Sequence, residues 1–189
     1  MKDRSHRHRE AHALALQVTG VKHGEQLAQV GCVDGGLMAA LAAAVGPSGR
    51  AVAIVPDKTS AACAQTAARG AGVPIEVEVA RLTQLPAGNA AFDLVFVDDT
   101  DGLFASVIPA RRRSFVGEIF RILRPGGRVV AIRREARGGF IGAVLERMQS
   151  PANSDLMHAL RFEGFESIRK HPASDELVFV VALKPGEAR

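Results

Sequence analysis

Two adjacent aspartates, Asp98 and Asp99, close the apolar run FDLVFVDD, with Asp101 close behind. Carboxylates at the end of a buried strand can take a proton or hold a polar group of a substrate. Upstream, LAQVGCVDGGLMAALAAAVG (Leu27–Gly46) reads as a strand, a glycine-bearing turn and a helix. Backbone N–H groups in such a turn, and at the helix start behind it, favour an anionic or polar ligand. The turn is Gly31-Cys32-Val33-Asp34-Gly35. Together the two features point to a nucleotide-like ligand beside a pair of acids. Strand-end acids also make turn and cap hydrogen bonds, so both roles stay open for Asp98 and Asp99.

The elements that must position these residues alternate regularly. A polar arm and first helix run to about Val18. Strand one covers Gln26–Val30 and a helix Gly36–Val45, with a turn at Gly46–Gly49. Strand two is Ala51–Val55, and Asp57 is a good N-cap for a helix that ends at Arg69–Gly72. Strand three, Ile75–Ala80, alternates at period two as an edge strand does. Strand four, FDLVFV, is apolar throughout like a central parallel strand. A helix over Ala110–Leu123 stops before Pro125-Gly126-Gly127, and RVVAIR forms strand five. A helical region follows to Phe162, with Gly164 as its cap. ESIRK and ELVFVVAL are joined by too few residues for a parallel crossover, so they pair antiparallel. The fold class is therefore α/β: a seven-stranded, mostly parallel, Rossmann-like sheet with helices on both faces and an antiparallel last strand. Residues 1–17 read as the polar arm and the start of the first helix, and residues 18–189 as one domain.

Composition narrows the function classes. At 189 residues and 47% apolar, the chain can bury roughly 70% of its unfolded surface in one domain. No apolar run approaches the roughly 20 residues of a membrane helix, and MKDRSHRHRE lacks the apolar core of a signal peptide. The expectation is a cytoplasmic protein with no membrane contact. Cys32 and Cys63 lack metal-pair spacing and read as small buried apolar residues. His6, His8 and His12 read as polar positions of the arm rather than as a metal site. Residues 111–137 carry nine arginines against Glu118 and Glu135. That stretch reads as a solvated helix face with strand-end arginines, and alternatively as a patch for phosphate or an acidic partner. With no Trp or Tyr for stacking, nucleic acid is not the expected partner.

The glycine turn, LPAGNAAFDLV and EIFRILRPGGRVV, in this order and spacing, resemble the class I S-adenosylmethionine-dependent methyltransferases, over about residues 18–183. ALRFEGFESI is similar to that family's last helix-to-strand passage. The resemblance implies the cofactor S-adenosylmethionine, held by the turn Gly31, Cys32, Val33, Asp34 and Gly35 at its methionine end. It implies a ribose contact at the end of strand two (Val55, with Asp57 two residues on) and an adenine contact at Arg81 and Leu82. Asp98 and Asp99 become candidates for a catalytic base or substrate contact. The metal-dependent catechol-type enzymes, similar at FDLVFVDD, need further ligands at the end of strand five. Ile132 and Arg133 stand there, so no metal is expected.

Four positions depart from the family pattern. Val33 replaces the middle glycine, where a β-branched residue avoids positive φ. Gln29 replaces the strand-one acid, Val55 the ribose acid and Arg81 the adenine acid. Losing two hydrogen bonds to charged groups costs about 3–6 kcal/mol, on the order of 10² to 10⁴ in affinity. Three readings follow. One is a small-molecule methyltransferase whose backbone frame still binds the cofactor, with Asp34 or Asp57 compensating. Another is a catalytically inactive pseudo-methyltransferase, a binding or regulatory module whose pocket is filled by Val33, Val55 and Arg81. In a third, Arg81 meets the phosphate of another nucleotide. A small-molecule substrate or a protein partner is expected accordingly. The two-strand edge and the arginine-rich helix are candidate contact surfaces, a homodimer being one arrangement they allow.

Overall fold

The computed structural model describes residues 2–134, 151–173 and 177–186. Among the described residues, thirteen elements follow one another: α1 (Lys2–Thr19), β1 (Gln26–Val30), α2 (Gly35–Val45), β2 (Arg50–Val55), α3 (Lys58–Ala71), β3 (Glu76–Val79), β4 (Phe92–Asp99), α4 (Leu103–Ser106), α5 (Pro109–Ile122), β5 (Leu123–Arg134), α6 (Pro151–Phe162), β6 (Glu166–Pro172) and β7 (Leu177–Leu183). Glu135, Arg137 and the rest of the helical region before Pro151, and Ser174–Glu176 of the last turn, lie outside the described residues.

The strands form one sheet in the order β3-β2-β1-β4-β5-β7-β6. The first five neighbours are parallel, and β7 runs antiparallel to both β5 and β6. The chain winds outward from β1 to β3, then returns to lay β4 on the other side of β1. That reversal opens a crevice outside the carboxyl ends of β1 and β4.

The apolar runs of the central strands are buried on both faces, as a doubly covered parallel sheet requires. On one face Leu37, Met38 and Leu41 of α2 and Ala61 and Ala64 of α3 pack on Leu27, Val55, Leu94 and Phe96. On the other, Phe115, Val116 and Ile119 of α5 and Leu156 and Leu160 of α6 cover Val30, Val95, Val97 and Val129. β3 sits at the sheet edge and its Glu76, Val77, Glu78 and Val79 are not buried, in keeping with its period-two alternation.

α1 runs from Lys2 to Thr19, as expected of the first helix, and buries Ala15 in the core. One strand boundary and one short helix differ from the sequence reading. β5 starts at Leu123 rather than at Arg128, because Leu123 pairs with Phe92 before Arg124–Gly127 bulge out and the register resumes at Leu94–Arg128. Gly127 is where the bulge closes: a Cβ there would stand 2.9 Å from the Arg124 carbonyl and 3.1 Å from that of Asp93. α4 is only four residues long and leaves no periodic signal.

Most described arginines of the basic stretch join segments of this frame. Arg121 pairs with Glu118 and donates to the Leu85 and Ala87 carbonyls. Arg124 pairs with Asp93. Arg128 grips both carboxylate oxygens of Glu25 and donates to the Thr19 and Gly20 carbonyls, fastening the end of α1 and the approach to β1 onto β5.

Burial pushes the Glu25 carboxyl up, but the Arg128 hydrogen bonds, the Lys22 amide and the Arg128 charge outweigh it and hold the group below its ordinary 4.5. A depressed folded value means the stabilisation is complete above the unfolded value and is lost as pH falls through the folded one. Arg128→Ala should cost about 2 kcal/mol near neutral pH, the scale of hydrogen bonds to a charged group. Urea unfolding from pH 7 down to pH 3 should show a shallower acid loss in the variant than in the wild type.

Candidate functional site

The site is built at the carboxyl edge of β2, β1 and β4. The turn after β1 opens at Gly31, whose φ of +81° suits glycine and whose Cβ would stand 2.8 Å from the Asp98 carbonyl. The Gly31 N–H donates to the Ile54 carbonyl, and the Ala80 N–H to that of Val55, so three strand ends meet at one rim. Asp34 then caps α2, its Oδ1 accepting from the Gly36 N–H. Its Oδ2 lies 2.7 Å from His12 Nε2 of α1, which brings the first helix over the turn. Gly35 begins α2 in close contact with α3: a Cβ there would stand 2.6 Å from the Ala67 Cβ.

Asp98 holds the turn in place. Its side chain is fully buried, and Oδ2 accepts from the Val33 N–H at 2.8 Å and the Asp34 N–H at 3.3 Å. Oδ1 accepts from the Thr100 hydroxyl and, at 3.3 Å, from the Thr100 N–H. Asp99 is also buried, accepts from the Phe104 N–H at the start of α4, and pairs with Arg133 of β5 at 2.6 Å. Burial raises the Asp99 carboxyl above its ordinary range, against the opposing charge of Arg133 and the Phe104 hydrogen bond. The two acids that the sequence offers as base or substrate contacts are therefore both engaged inside the fold. Asp101, two residues beyond, is the exposed carboxylate of the three.

The cofactor positions separate into groups. Cys32 is buried and Val33 is 44% exposed, with no positive φ to strain it. Arg81 is exposed as well. Val55 is fully buried in the core and presents no acceptor at the rim. Asp57 is exposed and caps α3 through the Ser60 N–H and hydroxyl. Leu82 belongs to the core on the other face.

Gln29 is fully buried and donates from Nε2 to the Gly31 carbonyl, while its Oε1 has no donor among the described residues. A buried acceptor without a donor is costly. This one stands beside the turn, and it fits a ligand or water that brings an N–H or O–H there. Among the described residues no group of three or more His, Cys, Asp or Glu could hold a metal ion.

Sequence reasoning missed Thr100, Arg133 and His12 as parts of this site, because each acts through a partner on another element or through an acid whose direction only the fold sets. Asp98→Ala should lower stability by about 2 kcal/mol, since it leaves two part-buried turn N–H groups without their charged acceptor. Asp98→Asn keeps an acceptor for the turn, and its amide can donate to the Thr100 hydroxyl, so the loss should be about 1 kcal/mol. Chemical denaturation of both variants reads the difference. Arg133→Met strands a buried carboxylate and should cost about 3–5 kcal/mol at neutral pH. Because the lone Asp99 titrates high, that cost should shrink on acidification as the carboxylate protonates; denaturation at pH 7 and pH 5 tests the sign.

Known proteins share this architecture. A methyltransferase from Aquifex aeolicus, described as S-adenosylmethionine-dependent, superimposes with a TM-score of 0.73 at 18% identity, over 91% of this chain and 88% of that one. The [4+2]-cyclase SpnF superimposes with a TM-score of 0.69 at 17% identity, over 93% and 80%. In sequence, the chain is 29% identical over 162 residues to 24-methylenesterol C-methyltransferase 2 of Oryza sativa subsp. japonica, covering 83% of this chain and 41% of that enzyme. It thus spans less than half the length of that relative. Residues 28–131, from β1 through the middle of β5, match the methyltransferase domain family. With the turn, the switch point and the seven-stranded order in place, the chain belongs to the methyltransferase domain family, a class I fold whose cofactor is S-adenosylmethionine.

Proposed function

We propose that this chain is a methyltransferase domain acting on a small molecule, and that it holds S-adenosylmethionine chiefly through backbone. One observation carries this reading: the β1–α2 turn is kept in shape by the buried Asp98 carboxylate, with the unpaired Gln29 Oε1 beside it. When bound, the cofactor supplies a methyl group made electrophilic by its sulfonium. The turn residues Gly31–Gly35 and the start of α2 would bind its methionine end. Asp98 and Asp99 serve as positioning residues for the rim rather than as bases, because their oxygens are engaged with the turn, Thr100, Phe104 and Arg133. Of the three acids, the exposed Asp101 would be the one to receive a proton from an acceptor. In-line alignment supplies much of the rate of such a transfer, so a rigid turn serves the chemistry even without a strong base.

A second reading, a binding or regulatory module without catalysis, is favoured by Val55: its buried side chain gives the ribose no acceptor. Both readings place the protein in the cytoplasm, with a small molecule or a protein as partner.

Calorimetric titration with S-adenosylmethionine and S-adenosylhomocysteine separates them. Micromolar binding supports the enzyme; no heat and no thermal stabilisation near millimolar ligand supports the module. Arg81 is exposed, so Arg81→Asp should leave the fold intact. If adenine lies beside it, the new acceptor should tighten S-adenosylhomocysteine about tenfold, the worth of one added hydrogen bond.

A further inference from the structure

The first helix meets the β1–α2 turn at His12. Its Nε2 lies 2.7 Å from Asp34 Oδ2, and the ring stands so close to the start of α2 that a Cβ on Gly36 would be 3.1 Å from its Cε1. A carboxylate only accepts, so Nε2 carries the proton in this contact. The other Asp34 oxygen accepts from the Gly36 N–H. The imidazole therefore fixes the same carboxylate that caps α2, and the two side chains are only 23% and 34% exposed.

α1 is held differently along its length. Ala15 and Thr19 are buried, Leu14, Leu16 and Val18 pack on the core, and Arg128 grips the Thr19 and Gly20 carbonyls. From Lys2 to His12, by contrast, Ala11 is the only apolar residue in the sequence. So polar a stretch has no apolar stripe to pack, and a helix of that length is marginal by itself. Polar contacts must hold it, and His12 makes one with the turn.

We propose that the first half of α1 is a strap across the β1–α2 turn and that His12 is its catch. With the catch made, α1 lies against the start of α2 and covers that side of the turn. With it broken, the polar half unwinds as far as Leu14, where apolar packing begins, and the turn opens to solvent. His12 is a positioning residue: it acts on a ligand through Asp34 and by covering the turn, and so slows release. That effect rests on the reading of Gly31–Gly35 as the cofactor turn, whereas the catch itself does not.

The test compares the wild type with His12→Ala and His12→Gln, the last of which keeps an N–H donor near the place of Nε2. In the ligand-free proteins, amide hydrogen exchange over residues 10–13 should be about tenfold faster in His12→Ala, the scale of one hydrogen bond to a charged group, and close to wild type in His12→Gln. Exchange over β1 and β4 should be the same in all three. Equal exchange over residues 10–13 in His12→Ala and the wild type overturns the catch. So does faster exchange of β1 and β4 alongside α1, which would make His12 a residue of the general framework. A His12→Gln variant as fast as His12→Ala overturns the hydrogen bond as the catch. The second readout is the dissociation rate of S-adenosylhomocysteine, expected to rise about tenfold in His12→Ala and to return in His12→Gln. Binding with an unchanged rate in His12→Ala overturns the strap. A wild type that binds no S-adenosylhomocysteine, with the exchange pattern as expected, overturns the cofactor reading and leaves the catch standing.

Discussion

The hydrogen bonds from the Val33 and Asp34 N–H groups to the Asp98 carboxylate hold the rest of the site in place. A charge buried at the end of a central strand is tolerated only where donors surround it. Here the turn and Thr100 supply four. The carboxylate in turn ties the β1–α2 connection to the end of β4.

The neighbouring acid extends this arrangement along the rim. Asp99 reaches Arg133 on β5 and the start of α4, so β1, β4 and β5 are joined at their carboxyl ends by consecutive residues of one strand. At the opposite ends of the strands, Arg128 and Glu25 join β5 to the approach to β1. Arg121 closes the segment before β4 through two carbonyls and Glu118. Arginine suits these places because its planar fork serves a carboxylate and backbone carbonyls at once. What composition presents as a basic patch is largely a set of internal ties.

The architecture was legible in the sequence to an unusual depth. Apolar runs at β1, β2, β4 and β5, the Asp57 cap, the glycine-bearing turns and the short final hairpin each state a local rule, and the structure obeys them. β5's early start escaped notice because Pro125-Gly126-Gly127 reads as a strand breaker, whereas here those residues bulge out of the ladder. α4 escaped because four residues carry no period. The site was legible in its positions and not in its roles. Residue type places an acid at Asp98, but only the neighbouring turn decides whether its oxygens face solvent or backbone donors.

The sequence by itself determined the fold class and the order of the elements, because these depend on local pattern and on residue identity. Tertiary structure alone decided that Asp98 and Asp99 face inward, that Val33 and Arg81 are exposed, and that Val55 is spent on the core. Each of those facts depends on which elements the sheet order places side by side. Strand order is set by long-range packing, which no spacing along the chain records.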